Sequence, residues 1–359
     1  MLFVLAQTEV LNKGRYRGSG LYAPRLNVSR ARGAGPILVT KPTDSPPKHG
    51  SPPFPILPGR CSLHPMQRWP LTIFILLAFV LGACSSDDVP PPPLPGSGAS
   101  VGRGAQLAEG LAACGFCHSL QGKPGASLSG GRMMSDMFGD VAGPNITISP
   151  SGTGNWSESD IRTLMRANRR PDGTYLYSRF HKGNEWMADE DLTALIAYLR
   201  SVPAVDTTVE RRDISWIERN TIGFFTSAAE VKGYVPQISP RFRLQYGEYL
   251  SNSVAGCDRC HATPGGTFGS DEPLTGGAEI TFDGETKVAP NISQSKIAGI
   301  GNWSEADLAR YLRTGVTASG REVDTRFCPV EFYQRATPEE IDAVVAYLRS
   351  ISVDEEPQS

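Results

Sequence analysis

The sequence has little net charge, lacks long apolar runs and contains few histidines. The first two features argue against nucleic-acid binding and against a membrane-spanning helix, and the third limits where imidazole chemistry can occur. Lys and Arg number 35 against 37 Asp and Glu, so the net charge of −2 at pH 7 offers no basic excess for nucleic-acid binding. The main apolar run, Leu71 to Val80, is too short to span a bilayer comfortably. Histidine occurs 5 times in 359 residues, so any chemistry that needs imidazole depends on few positions.

The 7 cysteines do not suit a disulfide framework, because four of them fall in two copies of one pentapeptide. Cys-x-x-Cys-His is the attachment pattern of c-type haem, in which each thiol bonds one vinyl group and the imidazole binds the iron. Because the pattern occurs twice, each time opening a longer repeat, a structural zinc site or a redox dithiol is disfavoured. We therefore predict two covalently bound haem c groups, with attachment and proximal ligation by Cys114, Cys117 and His118, and by Cys257, Cys260 and His261.

The N-terminal region contains a second possible start at Met66, followed by Arg68 and the apolar run. This order is typical of a signal peptide. The run ends in Leu81-Gly82-Ala83-Cys84, which resembles a bacterial lipobox and implies that Cys84 is lipidated. An uncleaved N-terminal anchor is the alternative, and both place the rest of a bacterial chain outside the cytoplasm, on the periplasmic side. Ser85 after the cysteine resembles lipoproteins that are forwarded to the outer membrane.

The domain boundaries follow composition and repeats. Residues 1–65 are rich in Pro, Gly and Arg without sustained periodicity, and we interpret them as a disordered or non-native upstream segment before the signal peptide at 66–84. Residues 85–100 read as a Pro-rich tether. The rest is predicted to be mainly α, with two tandem haem domains at 101–203 and 241–354. The connector, 204–240, contains Trp216, Ile217, Phe224 and Phe225, so we predict that it packs on the domains.

The second half of the chain repeats the first well beyond the pentapeptide. Gly143-Pro144-Asn145-Ile146 matches Ala289-Pro290-Asn291-Ile292, and Gly154-Asn155-Trp156-Ser157 matches Gly301-Asn302-Trp303-Ser304. Both halves end in Ala-Tyr-Leu-Arg-Ser. These motifs resemble class I cytochromes c. Over about residues 102–350 the chain is similar to the cytochrome c subunits of membrane-bound bacterial alcohol and gluconate dehydrogenases, although those subunits usually carry three haems.

The resemblance implies roles for several repeated residues. The carbonyls of Pro144 and Pro290 are expected to accept a hydrogen bond from the proximal histidines, and Trp156 and Trp303 to contact haem propionates, or else to be core residues alone. A glycine ten positions before each first haem cysteine, Gly104 and Gly247, is expected to let the first helix cross the last one closely.

The sixth iron ligands depart from the methionine of this family, because no methionine follows Met187. At the constant offset of the repeat (328 − 181 = 147 positions), His181 and Cys328 are equivalent, and we predict that they bind the first and second iron. Met187 is the alternative for the first haem. Met133, Met134 and Met137, in a region interpreted as loop, are poorer candidates. Cys328 could instead be a small buried hydrophobe, with the second haem five-coordinate or bound by Tyr333.

These observations indicate an electron-transfer protein rather than an enzyme. The leading hypothesis is a lipid-anchored diheme cytochrome of low potential that serves redox protein partners, such as a dehydrogenase or a quinol-linked complex. One alternative is a cysteine-ligated enzyme of reduced sulfur anions, resembling thiosulfate dehydrogenases, with a basic pocket of Arg321, Arg326 and Arg335 beside Cys328. The other is a haem-based gas or redox sensor.

Overall fold

The computed structural model describes residues 97–221, 230–265 and 271–351. In these ranges, none of the helices combines the length and apolar character that a membrane span requires. The predicted signal peptide, Cys84 and most of the tether lie outside the described residues, as do Phe224 and Phe225. The first helix begins at Ser97, so the last four residues of the predicted tether are helical.

Two groups of helices follow each other in the same order, each around one Cys-x-x-Cys-His motif. In the first half they are α1 (Ser97–Ala108), α2 (Cys114–His118), α3 (Glu158–Ala167) and α4 (Asp189–Ser201). Short 3-10 turns cover Arg179–His181 and Asn184–Trp186. The connector holds α5 (Trp216–Asn220). The second half has α6 (Arg243–Tyr249), a π-helical turn (Leu250–Val254), α7 (Asp258–His261), α8 (Glu305–Thr314), α9 (Val330–Tyr333) and α10 (Pro338–Ser350).

The repeated serines begin a helix in each half. Ser157 and Ser304 each accept a hydrogen bond from the backbone N–H of the acidic residue three positions on, and the carboxylate of that residue accepts one from the backbone N–H of the serine. Such reciprocal capping satisfies two N–H groups that the helix itself leaves unpaired. Helices α3 and α8 therefore begin at the same place in both repeats.

The close crossing predicted at the repeated glycines is also present. A Cβ at Gly104 would lie 1.9 Å from the carbonyl oxygen of Ala194 and 2.7 Å from Cβ of Tyr198. A Cβ at Gly247 would lie 1.9 Å from the carbonyl oxygen of Ala343. Only glycine permits these contacts, so α1 crosses α4, and α6 crosses α10, at the same short distance.

A four-stranded antiparallel sheet joins the two halves, and it was missed by the sequence analysis. The strands are β1 (Met133–Asp136), β2 (Gly139–Ala142), β3 (Glu279–Phe282) and β4 (Glu285–Val288), in the order β2-β1-β3-β4. Each half contributes one hairpin, and β1 pairs with β3, with Met134 opposite Phe282. The fold is thus mixed helix with a small sheet. The interpretation as loop was wrong for Met133 and Met134, which lie in β1, whereas Met137 lies in the turn between β1 and β2.

The apolar core continues from one half into the other. One cluster includes Leu107 and Phe116 from the first half and Tyr249, Phe332 and Ile341 from the second. A smaller cluster lies in the first half alone and includes Met187, Leu192 and Ile161. Because the larger core is shared, each half buries part of its apolar surface against the other.

A buried charge cluster lies at the same junction. Arg103 of α1 pairs with Asp191 of α4 at 2.8 Å and with Glu340 of α10 at 2.6 Å, and both carboxylates are nearly inaccessible. Tyr249 of α6 donates to Asp191 at 2.7 Å. Each carboxylate is therefore bonded from both halves.

The connector packs on the first half. Asn145 donates to the carbonyl of Val205 at 2.9 Å, and Arg212 pairs with the buried carboxylate of Asp136 at 2.7 Å. Val231 is buried, and its backbone N–H donates to the carbonyl of Arg166 at 3.1 Å.

The residues that prompted the prediction do not carry this packing. Trp216 and Ile217 are 75% and 66% exposed, so ion pairs, backbone hydrogen bonds and other apolar residues fix the segment.

Candidate haem centres

The proximal side is built in the same way in both halves. Nδ1 of His118 donates to the carbonyl of Pro144 at 2.9 Å, and Nδ1 of His261 donates to the carbonyl of Pro290 at 2.8 Å. This bond fixes the tautomer and the direction of each ring, and it leaves Nε2 unprotonated as a metal ligand. Burial lowers the pKa of both rings, which favours the neutral imidazole that iron requires.

The motif cysteines are partly buried thiols, and no disulfide joins any of the described cysteines. Burial raises the pKa of Cys114, Cys117 and Cys257 to about 12, and that of Cys260 above its ordinary value. A reactive dithiol has a lowered pKa and an electropositive setting. Within the described ranges, no group of three or more His, Cys, Asp or Glu side chains is arranged to hold a metal ion. The thiols thus suit covalent attachment better than exchange or zinc binding.

On the distal side of the first motif, the structure brings His181 opposite His118. Their ring centroids are 6.1 Å apart at an interplanar angle of 74°. Two imidazoles that bind one metal ion from opposite sides, with bonds of about 2.0 Å, have ring centres about 6.3 Å apart. Nδ1 of His181 is buried and makes no hydrogen bond to a described residue. Burial and the neighbouring His118 lower the pKa of His181 to about 3, so the ring is neutral.

The methionines of the first half lie elsewhere. Met187 is 1% exposed and belongs to the small apolar cluster of the first half, which also contacts Cys114 and Trp156. Met165 is partly buried and packs against the same cluster. Met134 is buried in the sheet, whereas Met133 and Met137 are 41% and 62% exposed.

In the second half, Cys328 occupies a pocket of aromatic residues near the motif. The Tyr311 hydroxyl donates to its sulfur at 3.7 Å, and Tyr311 itself stacks edge-on against Trp303 with centroids 5.7 Å apart. Burial raises the pKa of Cys328 to about 11, although the Tyr311 bond opposes this. Cys328 also interacts electrostatically with Cys257, Cys260 and buried Tyr333.

The two repeated tryptophans are held by the repeated arginines of the closing helices. Arg200 donates to the carbonyls of Thr153 and Trp156. Arg349 donates to the carbonyl of Trp303 at 3.2 Å. Both tryptophans are half-buried and pack on the core of their own half. The Tyr-Leu-Arg-Ser ending thus holds the tryptophan turn in place, a role that the sequence analysis missed.

The basic pocket considered beside Cys328 is not formed by the predicted residues. Arg326 pairs with Asp324 at 2.7 Å and with Glu285, and Arg335 pairs with Glu109 at 3.1 Å. Arg321 is exposed and acts electrostatically on Tyr311. Two of the three cations are therefore neutralised by carboxylates.

Both motifs adjoin the junction of the halves, because Cys117, Cys257 and Cys260 pack against the shared apolar cluster. Arg132 lies between the halves with an exposed fraction of 3%. Arg132 donates to the carbonyls of Phe116 and Arg326 at 2.6 Å each, and its guanidinium stacks on Phe116 and Phe282. No sequence signal identifies Arg132, since Ala278 stands at the corresponding place before β3.

These residues fit a covalently bound haem in each half. Each has a pair of partly buried thiols, an oriented neutral imidazole and a second candidate donor, His181 or Cys328, on another segment of the same half. The unpartnered Nδ1 of His181 and the spacing of the two rings are the observations that test this fit most closely.

Comparison with known proteins points the same way. Residues 101–203 match the family model described as Cytochrome c. The chain is 30% identical to the fructose dehydrogenase cytochrome subunit of Gluconobacter japonicus, over 80% of this chain and 59% of that protein. It is 29% identical to the cytochrome c subunit of the quinone alcohol dehydrogenase of Gluconobacter oxydans, over 69% of this chain and 52% of that one.

A third relative is covered more fully. The chain is 26% identical to a diheme cytochrome c-type protein of Cereibacter sphaeroides, over 70% of this chain and 86% of that protein. The chain spans only 59% and 52% of the two dehydrogenase subunits, so their full activity does not transfer with the similarity. Cytochrome c domains bind haem c covalently, and the first motif lies inside the matched residues. Residues 101–203 are therefore a cytochrome c domain, and the chain is a relative of the cytochrome c subunits of bacterial dehydrogenases.

Proposed function

We propose that this chain is a membrane-anchored, extracytoplasmic diheme c-type cytochrome that transfers electrons between redox partners. The observation that carries the proposal is the repetition of one proximal frame in two halves that share a core. Both motif histidines donate to a proline carbonyl. Cys117, Cys257 and Cys260 of the two motifs pack against the same apolar cluster. Two carriers attached around one core suit passage of electrons through the protein.

The haem iron would supply the one-electron change between ferric and ferrous states. The chain supplies attachment, orientation and shielding. Cys114, Cys117, Cys257 and Cys260 would form the thioether bonds, and Pro144 and Pro290 orient the proximal imidazoles. Trp156 and Trp303, fixed by the closing helices, are assigned to the propionates.

We further propose that both centres have low potential, with His118 and His181 on the first iron and His261 and Cys328 on the second. The 6.1 Å separation of the first two rings supports the first pair. The location of Met187 within an apolar cluster supports His181 over Met187, which remains the alternative. The packing of Cys328, Cys257 and Cys260 against the same apolar cluster supports the second pair. Methionine raises haem potential, so its replacement by imidazole or thiolate lowers it.

The anchor and the partners rest on the sequence and on the names of the relatives. Cys84 at the end of the lipobox is assigned to lipidation, and Ser85 to transfer to the outer membrane. Because the relatives include cytochrome subunits of fructose and alcohol dehydrogenases, we assign a dehydrogenase as one redox partner. An enzyme of reduced sulfur anions is less favoured, since Arg326 and Arg335 are paired with carboxylates.

The test is low-temperature electron paramagnetic resonance of the oxidised holoprotein, after mass spectrometry has counted the covalent haems. We expect two haems and two low-spin signals, with His181→Ala altering one signal and Cys328→Ala the other. Met187→Leu is the matched control, because it keeps the apolar volume and should leave both signals unchanged. A single haem would contradict the diheme proposal, and a changed signal in Met187→Leu with none in His181→Ala would contradict the ligand assignment.

A further inference from the structure

Arg259 lies inside the second Cys-x-x-Cys-His motif, yet its side chain binds the first half. Its Nε donates to the carbonyl of Lys182 at 2.6 Å, and its Nη1 donates to the carbonyl of Phe180 at 3.0 Å. Its Nη2 donates to Oδ1 of Asn184. The first two acceptors are the residues immediately before and after His181. The guanidinium therefore clamps the backbone on both sides of the ring that faces His118.

The segment that carries His181 has little regular structure of its own. Arg179–His181 is one 3-10 turn, and a second short turn begins at Asn184. Gly183, between them, has φ of 92°, and a Cβ there would lie 2.3 Å from the carbonyl oxygen of Asn252 in the second half. The segment is thus pressed against the second half at Gly183 and bonded to it at Arg259. A turn with few internal hydrogen bonds depends on such outside contacts for its position.

Arginine suits this position for a chemical reason. Its planar guanidinium presents five N–H donors in a fixed fork, whereas lysine offers one flexible point charge. The three acceptors lie in different directions around the guanidinium, so the fork of arginine can donate to all of them and the single ammonium of lysine cannot. In the first motif the equivalent position is Phe116, so Arg259 does not belong to the repeated haem-binding pattern.

We propose that Arg259 is the positioning residue for His181, so that the distal side of the first haem centre is held by the attachment motif of the second. The inference rests on the assignment of His181 as an iron ligand in the proposed function. Because coupling between two sites is reciprocal, a change at the second motif alters the ligand field of the first centre, and loss of the first distal bond relaxes the second motif.

The experiment compares holoprotein variants by electron paramagnetic resonance in the oxidised form, with mass spectrometry to confirm that both haems are attached. The test variants are Arg259→Gln and Arg259→Lys. We expect both to shift or lose the low-spin signal that His181→Ala removes, with the signal that Cys328→Ala removes unchanged. Arg259→Lys should not keep the wild-type signal of the first centre, because the forked N–H donors of the guanidinium are needed and not its charge alone.

Two further variants make the experiment specific. Lys182→Ala removes the exposed ion pairs with Asp271 and Asp258, at 3.2 and 3.8 Å, but keeps the carbonyl that Arg259 binds, so it should match wild type. Gly183→Ala places a Cβ 2.3 Å from the carbonyl oxygen of Asn252, so it displaces the segment from the second half without replacing any residue of the second motif. It should reproduce the effect of Arg259→Gln, and it serves in place of the Arg259 variants should they lose the second haem.

The outcomes separate this inference from the proposed function. If His181→Ala removes a signal that Arg259→Gln and Gly183→Ala leave intact, the positioning role is overturned and the ligand assignment stands. If Lys182→Ala shifts that signal as strongly as Arg259→Gln, a general disturbance of the surface is the cause and the inference is also overturned. If His181→Ala itself changes neither signal, the ligand assignment fails, and this inference fails with it.

Discussion

The two halves of the molecule agree on the proximal side of each motif and differ on the distal side. The histidine–proline hydrogen bonds measure 2.9 and 2.8 Å, and the glycine crossings leave the same 1.9 Å. Across from them, the first half presents His181 with a bare, buried Nδ1, and the second presents Cys328 with a hydroxyl bonded to its sulfur. The repeat thus preserves the residues that orient the motif histidines and varies the residues that we propose as sixth ligands.

The largest predicted effect is on the haem potentials when Cys328 or His181, the proposed sixth ligands, is replaced. Replacing Cys328 by methionine should raise the potential of the second centre by on the order of 0.1 V or more, because a neutral thioether stabilises the ferrous state better than a thiolate does. His181→Met should raise that of the first centre by less, because imidazole is already neutral. Potentials are read by optical titration of the holoprotein.

The control for the exchange is Met187→Leu, which should leave both potentials in place. If Cys328→Met moved neither potential, Cys328 would be the small buried hydrophobe that its aromatic surroundings also permit.

The second prediction concerns the part of the comparison in which the halves agree. Gly104→Ala and Gly247→Ala should each lower the free energy of unfolding by about 3 kcal/mol or more, because each new Cβ overlaps a helix carbonyl that cannot move without separating the crossing. Denaturant titration of the holoprotein measures this. Gly102→Ala is the matched control on the same helix, since a Cβ there meets nothing within 4 Å.

Equal losses at the two positions would show that the crossings are energetically equivalent. A loss at one position alone would show that the shared core compensates for a defect in the other half, because the larger apolar cluster contains residues of both.

The sequence predicts what is local and repeated. The caps at Ser157 and Ser304, the closing helices and the proline turns depend on residues a few positions apart, and each pattern occurs twice. The hairpins around Met134 and Ile280 were missed because four-residue strands are too short to show an alternating pattern. Trp216 was a poor indicator of packing, because an aromatic residue in a connector is buried only on average, and this one is exposed.

The junction between the halves was beyond sequence reasoning for a different reason. Arg132 and Arg259 bind backbone carbonyls of residues distant in the chain, and any residue offers a carbonyl, so no partner type marks the contact in advance. His181 and Cys328 could be predicted as candidate sixth ligands because the repeat aligns them. The alignment gives no distance from either residue to its Cys-x-x-Cys-His motif.

The smallest predicted effect concerns a single hydrogen bond of the second half, from Tyr311 to Cys328. Tyr311 stands where the first half has Leu164, and its hydroxyl donates to the sulfur of Cys328 at 3.7 Å. A net hydrogen bond of about 1 kcal/mol that stabilises the thiolate charge corresponds to about 40 mV for a one-electron couple. Such a bond withdraws charge from the sulfur and so favours the ferrous state. Tyr311→Phe should therefore lower the potential of the second centre by about that amount and leave the first unchanged.

Tyr347→Phe, which removes a hydroxyl bonded to Asn252 instead, should move neither potential. An unchanged second potential in Tyr311→Phe would mean that the sulfur is not the ligand that sets it.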